Sequence, residues 1–382
     1  MSPNYYQGSL KELFVNNIAL IDVRAPLEFE QNTFPQSCNL PLLNNQQRHE
    51  IGICYKHKGQ AAAIDLGHKL VSGSDKEDKI SAWIKQITEH PHSVLYCARG
   101  GLRSQISQSW IAENGKTIPI VEGGHKRLRN FLLTTLQDQI SANSFLVISG
   151  NTGSGKTRLL SDLAREGQKT LDLEALANHR GSAFGKMLSP QPSQANFENN
   201  LAIQLLRLES CDTESILVED ESSNIGRLFV PRQLFEKQMA SAIFVLRIPI
   251  EERIEFIQKD YVESVWPHIK DLENSHQAFF DFFKNSFDHI KKRLGGALHA
   301  ECLNDLKNAT DEFKKSGSLE RHKEWIGKLL VHYYDPLYEN GLSKRKSFIV
   351  GEGNVSDLRQ FLNSEKSSRH FEQEQNVALS KA

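Results

Sequence analysis

Short apolar runs punctuate the first 250 residues, and helical spacing takes over after them. Ile18–Val23, Val94–Tyr96, Ile118–Val121, Phe145–Ser149, Ile216–Val218 and Ile243–Ile248 are mostly unbroken apolar stretches, the pattern of strands covered on both faces. Asn39-Leu40-Pro41-Leu42 predicts one more brief extended element. Between them Ile80–Ile87, Ser104–Ile111, Arg158–Glu166 and Asn200–Leu208 predict helices. Alternating strands and helices make α/β sheets, which hold ligands beyond the carboxyl ends of their strands. From Glu251 the pattern is mainly helical, with Phe279, Phe280, Phe282, Phe283 and Phe287 on the apolar face of a packed helix. The expected division is an open α/β sheet over 1–140, a second α/β domain over 141–250, and a mainly helical extension over 251–382.

Composition narrows this picture only slightly. A chain of 382 residues exceeds one ordinary domain. No apolar run approaches the roughly 18 residues of a membrane span, and the first residues carry no secretory pattern. Cys38, Cys54, Cys97, Cys211 and Cys302 are scattered, with no C-x-x-C pair. That argues for a reduced, cytoplasmic setting without a disulfide framework or a zinc site. The net charge of −1 leaves any nucleic-acid binding to local patches. The basic runs are Lys291-Lys292-Arg293, Arg321-His322-Lys323 and Ser343-Lys344-Arg345-Lys346-Ser347, read either as solvated faces or as RNA-phosphate contacts. The polar tail after Asn363 lacks periodicity and predicts fraying.

Two loops carry candidate chemistry. Cys97-Ala98-Arg99-Gly100-Gly101-Leu102-Arg103-Ser104 lies between a strand and a helix. Gly100 and Gly101 let backbone N–H groups turn inward, and Arg99 and Arg103 flank the resulting nest. Such a nest favours an anion and is expected to lower the thiol pKa. The second loop, Gly150-Asn151-Thr152-Gly153-Ser154-Gly155-Lys156-Thr157, has the G-x-x-x-x-G-K-[ST] form with a strand before it and a helix after. Gly150, Gly153 and Gly155 free its N–H groups to wrap a polyphosphate, Lys156 adds charge, and Thr157 is a candidate Mg²⁺ ligand. The motif specifies a phosphate ester or diphosphate, and does not specify ATP. Val218-Glu219-Asp220-Glu221 ends the next strand, where Glu219 or Asp220 could hold a metal or act as a base. His179-Arg180-Gly181-Ser182 reads as a substrate loop. Residues 42–68 form an insert that is either a helical cap or, through Tyr55-Lys56-His57-Lys58, a nucleotide contact.

Asp22-Val23-Arg24, Glu28-Phe29, Asn39-Leu40-Pro41, the Cys97 loop and Gly123-Gly124 together resemble a rhodanese-type sulfurtransferase domain. The C-x-x-G-x-x-R-[ST] loop is one residue longer than usual there and matches the phosphatase cradle, although Tyr96 stands where that rival has histidine. A rhodanese-like domain followed by a P-loop NTPase-like domain is similar to the bacterial tRNA 2-selenouridine synthase family. Gly52-Ile53-Cys54-Tyr55-Lys56, His179-Arg180-Gly181-Ser182, Val218-Glu219-Asp220-Glu221-Ser222 and Tyr333-Tyr334-Asp335-Pro336 extend the likeness along the chain. The resemblance implies a tRNA substrate, wobble 2-thiouridine. Its sulfur would be alkylated by geranyl diphosphate and the S-geranyl group then replaced by selenium from selenophosphate. It implies no tightly bound cofactor and no membrane partner. Cys97, with Arg99 and Arg103, would bind selenophosphate or carry selenium, and Lys156 would serve geranyl transfer. The alternatives are an ATP-dependent sulfurtransferase or small-molecule kinase fused to a rhodanese domain, and a nucleotide-controlled binding protein.

Overall fold

The structure, a computed structural model, describes residues 2–209 and 215–364. Cys211 and the polar tail beyond Ser364 lie outside the described residues. The chain forms two compact units, one drawn from Met1–Ala142 with Pro192–Ser210 and one from Asn143–Gln191 with Cys211–Ala382.

In the first unit β1 (Leu20–Asp22), β2 (Ser37–Asn39) and β3 (Val94–Tyr96) pair in parallel in the order β2-β1-β3. All of β1 and β3 is buried, as their unbroken apolar runs require. The strand expected over Ile118–Val121 closes down to single bridges from Ile120 to Leu95 and Tyr5. The carbonyl of Pro119 still accepts from Leu95, but a proline has no N–H with which to extend a ladder. Where β1 ends, the fully buried Asp22 grips Arg24 at 2.6 Å, and Asn39 donates to the carbonyls of both. The insert is a helix, Asn45–Leu70, broken at Gly59 by φ 83° and ψ −178°, values open to glycine alone at little cost. It therefore runs as two helical arms. Helix Gln194–Leu208 also belongs to this unit. It buries Phe197, Leu201 and Leu205, and Arg207 donates to the carbonyl of Phe14. The sequence order alone placed that segment in the following domain.

The second unit is built on a five-stranded parallel sheet in the order β10-β9-β4-β6-β5. Its strands are β4 (Ser144–Gly150), β5 (Thr170–Leu171), β6 (Ser215–Glu219), β9 (Ala242–Leu246) and β10 (Ile349–Gly353), with a short hairpin β7–β8 (Asn224–Ile225, Leu228–Phe229) between them. β10 was not expected, because a half-polar pentapeptide with two glycines has little strand character. It nevertheless completes the edge beside β9, where Gly351 lies against the ring of Phe244. The helical extension buries Phe279, Phe283 and Phe287 around Trp325, the face that the phenylalanine spacing predicts. No helix among the described residues is long and apolar enough to cross a membrane.

Candidate functional site

Cys97 follows β3 and is 3% exposed. Its Sγ lies 3.2 Å from Ser104 Oγ, and Ser104 donates in turn to the carbonyl of Gly101. Gly100 takes φ +65°, as the nest expects, but Gly101, at φ −98°, needs no glycine freedom, and it begins helix Leu102–Glu113. The turn is fixed from outside by Gly123 and Gly124. His125 N donates to the carbonyl of Cys97 at 2.8 Å and Lys126 N to that of Ala98 at 3.1 Å. His125 packs against Phe34 and Tyr96, and burial, with Arg24 and Arg129 nearby, pushes its pKa down to about 3. It is a neutral aromatic filler at neutral pH.

The two arginines expected to flank the thiol have different surroundings. Arg103 forms a fork with Glu28, at 2.6 and 3.1 Å. Burial works to raise the Glu28 pKa, but Arg103 and then Arg48 hold it below the ordinary value. Arg103, expected with Arg99 to flank the anion nest, is instead largely neutralised by a carboxylate. Arg99 is exposed and makes no ion pair among the described residues. It is the loop cation still available to an anion.

The phosphate loop leaves β4 at Gly150 and enters helix Lys156–Arg165, which buries Leu159, Leu160 and Leu163. Gly153 and Gly155 take φ +84° and +72°, backbone conformations of the kind that build an anion-binding nest of N–H groups. Lys156 Nζ donates to the carbonyl of Gly150 at 2.7 Å, and Thr157 Oγ1 donates to Glu174 at 2.8 Å. Glu174, Glu219 and Glu221 each bring a carboxylate oxygen within 4.8 Å of the others. Glu219 is fully buried at the end of β6, and no donor reaches either of its oxygens. An orphaned buried carboxylate beside two more, all hard oxygen donors, fits a Mg²⁺-like cation. Asp220, the other acid expected there, is instead tied to Arg345 at 2.7 Å and to Ser149. The sequence did not single out Glu174 and Glu221 as members of this cluster. The one available signal was an acid just past each strand end.

Burial, then mutual repulsion, raises Glu219 and Glu221 well above the ordinary carboxylate range, and Glu174 is raised as well. The folded state therefore binds more protons than the unfolded chain. The stabilising proton uptake is complete below the unfolded carboxyl value and is lost as pH rises through the folded values. Without divalent cation, the unfolding temperature of the full chain is expected to fall as pH rises above about 7, beyond the range in which the buried neutral His125 opposes the trend. The rise given by Mg²⁺ should be larger at pH 8 than at pH 6, and Glu219→Gln should flatten both trends. Thermal melts across pH test this, and equal Mg²⁺ shifts at both pH values would count against a cation held here.

Gly181 turns with φ +64°, and a Cβ there would meet Glu174 and Glu221 at 2.5 and 2.8 Å. The loop His179–Ser182 is thus pressed onto the acidic cluster. The Arg180 guanidinium stacks over Tyr261 at 4.8 Å, and His179 Nδ1 is buried without a partner. The basic runs fare unequally. Arg321 and Lys323 are paired with acids, His322 is fully buried, and Arg345 holds Asp220. Lys291, Lys292, Arg293, Lys344 and Lys346 stay exposed.

Fold and site define a rhodanese-like unit joined to a P-loop unit with a metal-ready acidic cluster. The family described as "Rhodanese-like domain" matches residues 7–130, and "tRNA 2-selenouridine synthase AAA domain" matches residues 143–369. Proteins named tRNA 2-selenouridine synthase from Marinobacter nauticus and Shewanella frigidimarina are 42% and 43% identical, each match covering 93% of this chain and 97% of the relative. One of the same name from Nitrosomonas europaea is 39% identical over 96% of this chain and its own full length. The chain belongs to the tRNA 2-selenouridine synthase family.

Proposed function

We propose that this enzyme converts wobble 2-thiouridine of tRNA into 2-selenouridine through an S-geranylated intermediate, consuming geranyl diphosphate and selenophosphate. The observation that carries this reading is the pairing, in a member of this family, of a diphosphate-type cradle at Gly150–Thr157 with the enclosed thiol of Cys97. In the first step the nucleoside sulfur attacks C1 of geranyl diphosphate. A C–S bond forms, the C–O bond breaks, the nucleoside releases its N3 proton to water, and the diphosphate leaves onto the N–H groups of the loop and Lys156. Glu174, Glu219 and Glu221 would hold a divalent cation that adds Lewis-acid charge beside the leaving group.

Alkylation removes the anionic character of the thio group and makes it a better leaving group. In the second step the selenium of selenophosphate bonds to C2 and the C2–S bond breaks, so that geranylthiol departs with one proton. Water then splits the P–Se bond and releases phosphate. Selenium keeps its oxidation state, so no reductant is needed, whereas a selenylsulfide at Cys97 would need one. The Cys97 thiol supplies the proton that leaves with geranylthiol and is reprotonated from water, with Arg99 as the cation for selenophosphate. Lys291, Lys292, Arg293, Lys344 and Lys346 supply contacts to tRNA phosphates.

Mass analysis of nucleosides from thiolated tRNA separates the two steps. Cys97→Ala is expected to accumulate the S-geranyl nucleoside, with selenium incorporation reduced about 100-fold by loss of the proton donor. Lys156→Ala should slow geranyl transfer by about 100-fold or more, yet still accept selenium into tRNA already geranylated. The opposite pattern would sink this division of labour. ATP hydrolysis stimulated by tRNA, with no change in nucleoside mass, would favour an ATP-dependent sulfurtransferase.

A further inference from the structure

Above Cys97 lies a pocket that the exchange of two small chalcogen atoms does not require. Its volume is about 670 Å³, within the usual range for sites that enclose an organic ligand. The two arms of the broken helix Asn45–Leu70 form its roof. Arg48, Ile51 and Tyr55 line it from the first arm, and Ala63 and Ile64 with Gly67, one turn on, from the second, each set on one helix face. Leu43, Ile106 and Trp110 close the apolar floor, and Cys97 lies among them in the same hydrophobic cluster. The polar part of the lining is Arg48, Arg99 and Arg103 with Glu28, joined by Gln60 and His68. Two of the lining side chains, Tyr55 and Leu102, are 58% and 42% exposed.

An apolar cavity beside the thiol fits a hydrocarbon chain, and the arginines that share its lining suit the selenophosphate anion that must reach the same carbon. We infer that this pocket holds the ten-carbon chain of the S-geranyl nucleoside while its sulfur is displaced. The inference rests on the two-step reading above and adds the place and the reason for recognition. The sulfur being replaced carries the chain, so the chain must lie within a bond of the exchanging atoms, and the room beside Cys97 is apolar. The pocket would thereby select the alkylated nucleoside over unmodified 2-thiouridine and receive geranylthiol as it departs.

The test uses the full chain and anticodon stem-loop RNAs carrying S-methyl, S-geranyl or S-farnesyl 2-thiouridine. Selenium exchange and equilibrium binding without selenophosphate are both measured. Wild type is expected to bind S-geranyl RNA at least about tenfold tighter than S-methyl RNA, and Ala63→Phe, which fills the roof, should collapse that preference. Ile64→Ala lengthens the cavity and should raise the preference for S-farnesyl over S-geranyl about fivefold, a gain that misfolding cannot produce. Equal binding of S-methyl and S-geranyl RNA by wild type would overturn the inference, as would unchanged preferences in both variants. If chain discrimination is seen but no selenium enters any RNA, the pocket stands and the two-step reading fails.

Discussion

Replacing Gly124 with alanine is expected to reduce selenium exchange at least about 100-fold while geranyl transfer persists, because a displacement of about 1 Å at reacting groups costs that much. Gly124 takes φ +56°, and a Cβ there would lie 2.3 Å from the carbonyl oxygen of Cys97 and 2.5 Å from the N of Gly100. Both obstacles are backbone, so no rotamer relieves them. The turn that donates from His125 and Lys126 to the Cys97 loop must move, and the thiol moves with it. Gly101 supplies the control. Its φ is −98° and nothing lies within 4 Å of the added carbon, so Gly101→Ala should exchange selenium near the wild-type rate. Rates from nucleoside mass analysis, together with the rate at which Cys97 is alkylated, check both variants. Full activity in Gly124→Ala would mean that the loop yields freely.

Asp335→Ala is the second large effect, and it acts on the phosphate loop. Arg253 is 4% exposed, forks onto Asp335 at 2.6 and 3.0 Å, and donates through Nε to the carbonyl of Thr152 at 2.9 Å. Asn151 donates to the same carboxylate at 2.8 Å. Removing Asp335 strands a buried guanidinium, which costs about 3–5 kcal/mol, and releases two residues of the loop at once. The second unit should unfold at lower urea, and the KM for geranyl diphosphate should rise about tenfold or more as the cradle loosens. A double variant, Arg253→Met with Asp335→Leu, leaves no orphan charge and should recover much of the stability without recovering the KM. Recovery of both would show that the pair merely supports the fold. Tyr333-Tyr334-Asp335-Pro336, which the sequence suggests as a turn ending a helix, instead continues the helical run into Asp335–Ser343 and is the far anchor of the phosphate loop.

The sequence alone determined what a few consecutive residues determine. The strand-loop-helix turn at Cys97 and the phosphate loop at Gly150 were legible because their glycines, their flanking apolar runs and their chemical groups are contiguous. The apolar face of Phe279, Phe283 and Phe287 was legible because helical periodicity is local. Tertiary structure alone decided which charges remain free. Glu28 captures Arg103 across 75 positions, and Arg345 captures Asp220 across 125. The acid at the site thus became Glu219, joined by Glu174 and Glu221, and the free cation at the thiol became Arg99. The helix over Cys97 was expected as one possible cap, but its break at Gly59 and the cavity beneath its two arms depend on what each arm packs against. Local sequence sets backbone geometry within a turn or two. The partner that neutralises a charge, and the space left between packed faces, are set by residues that only the fold brings together.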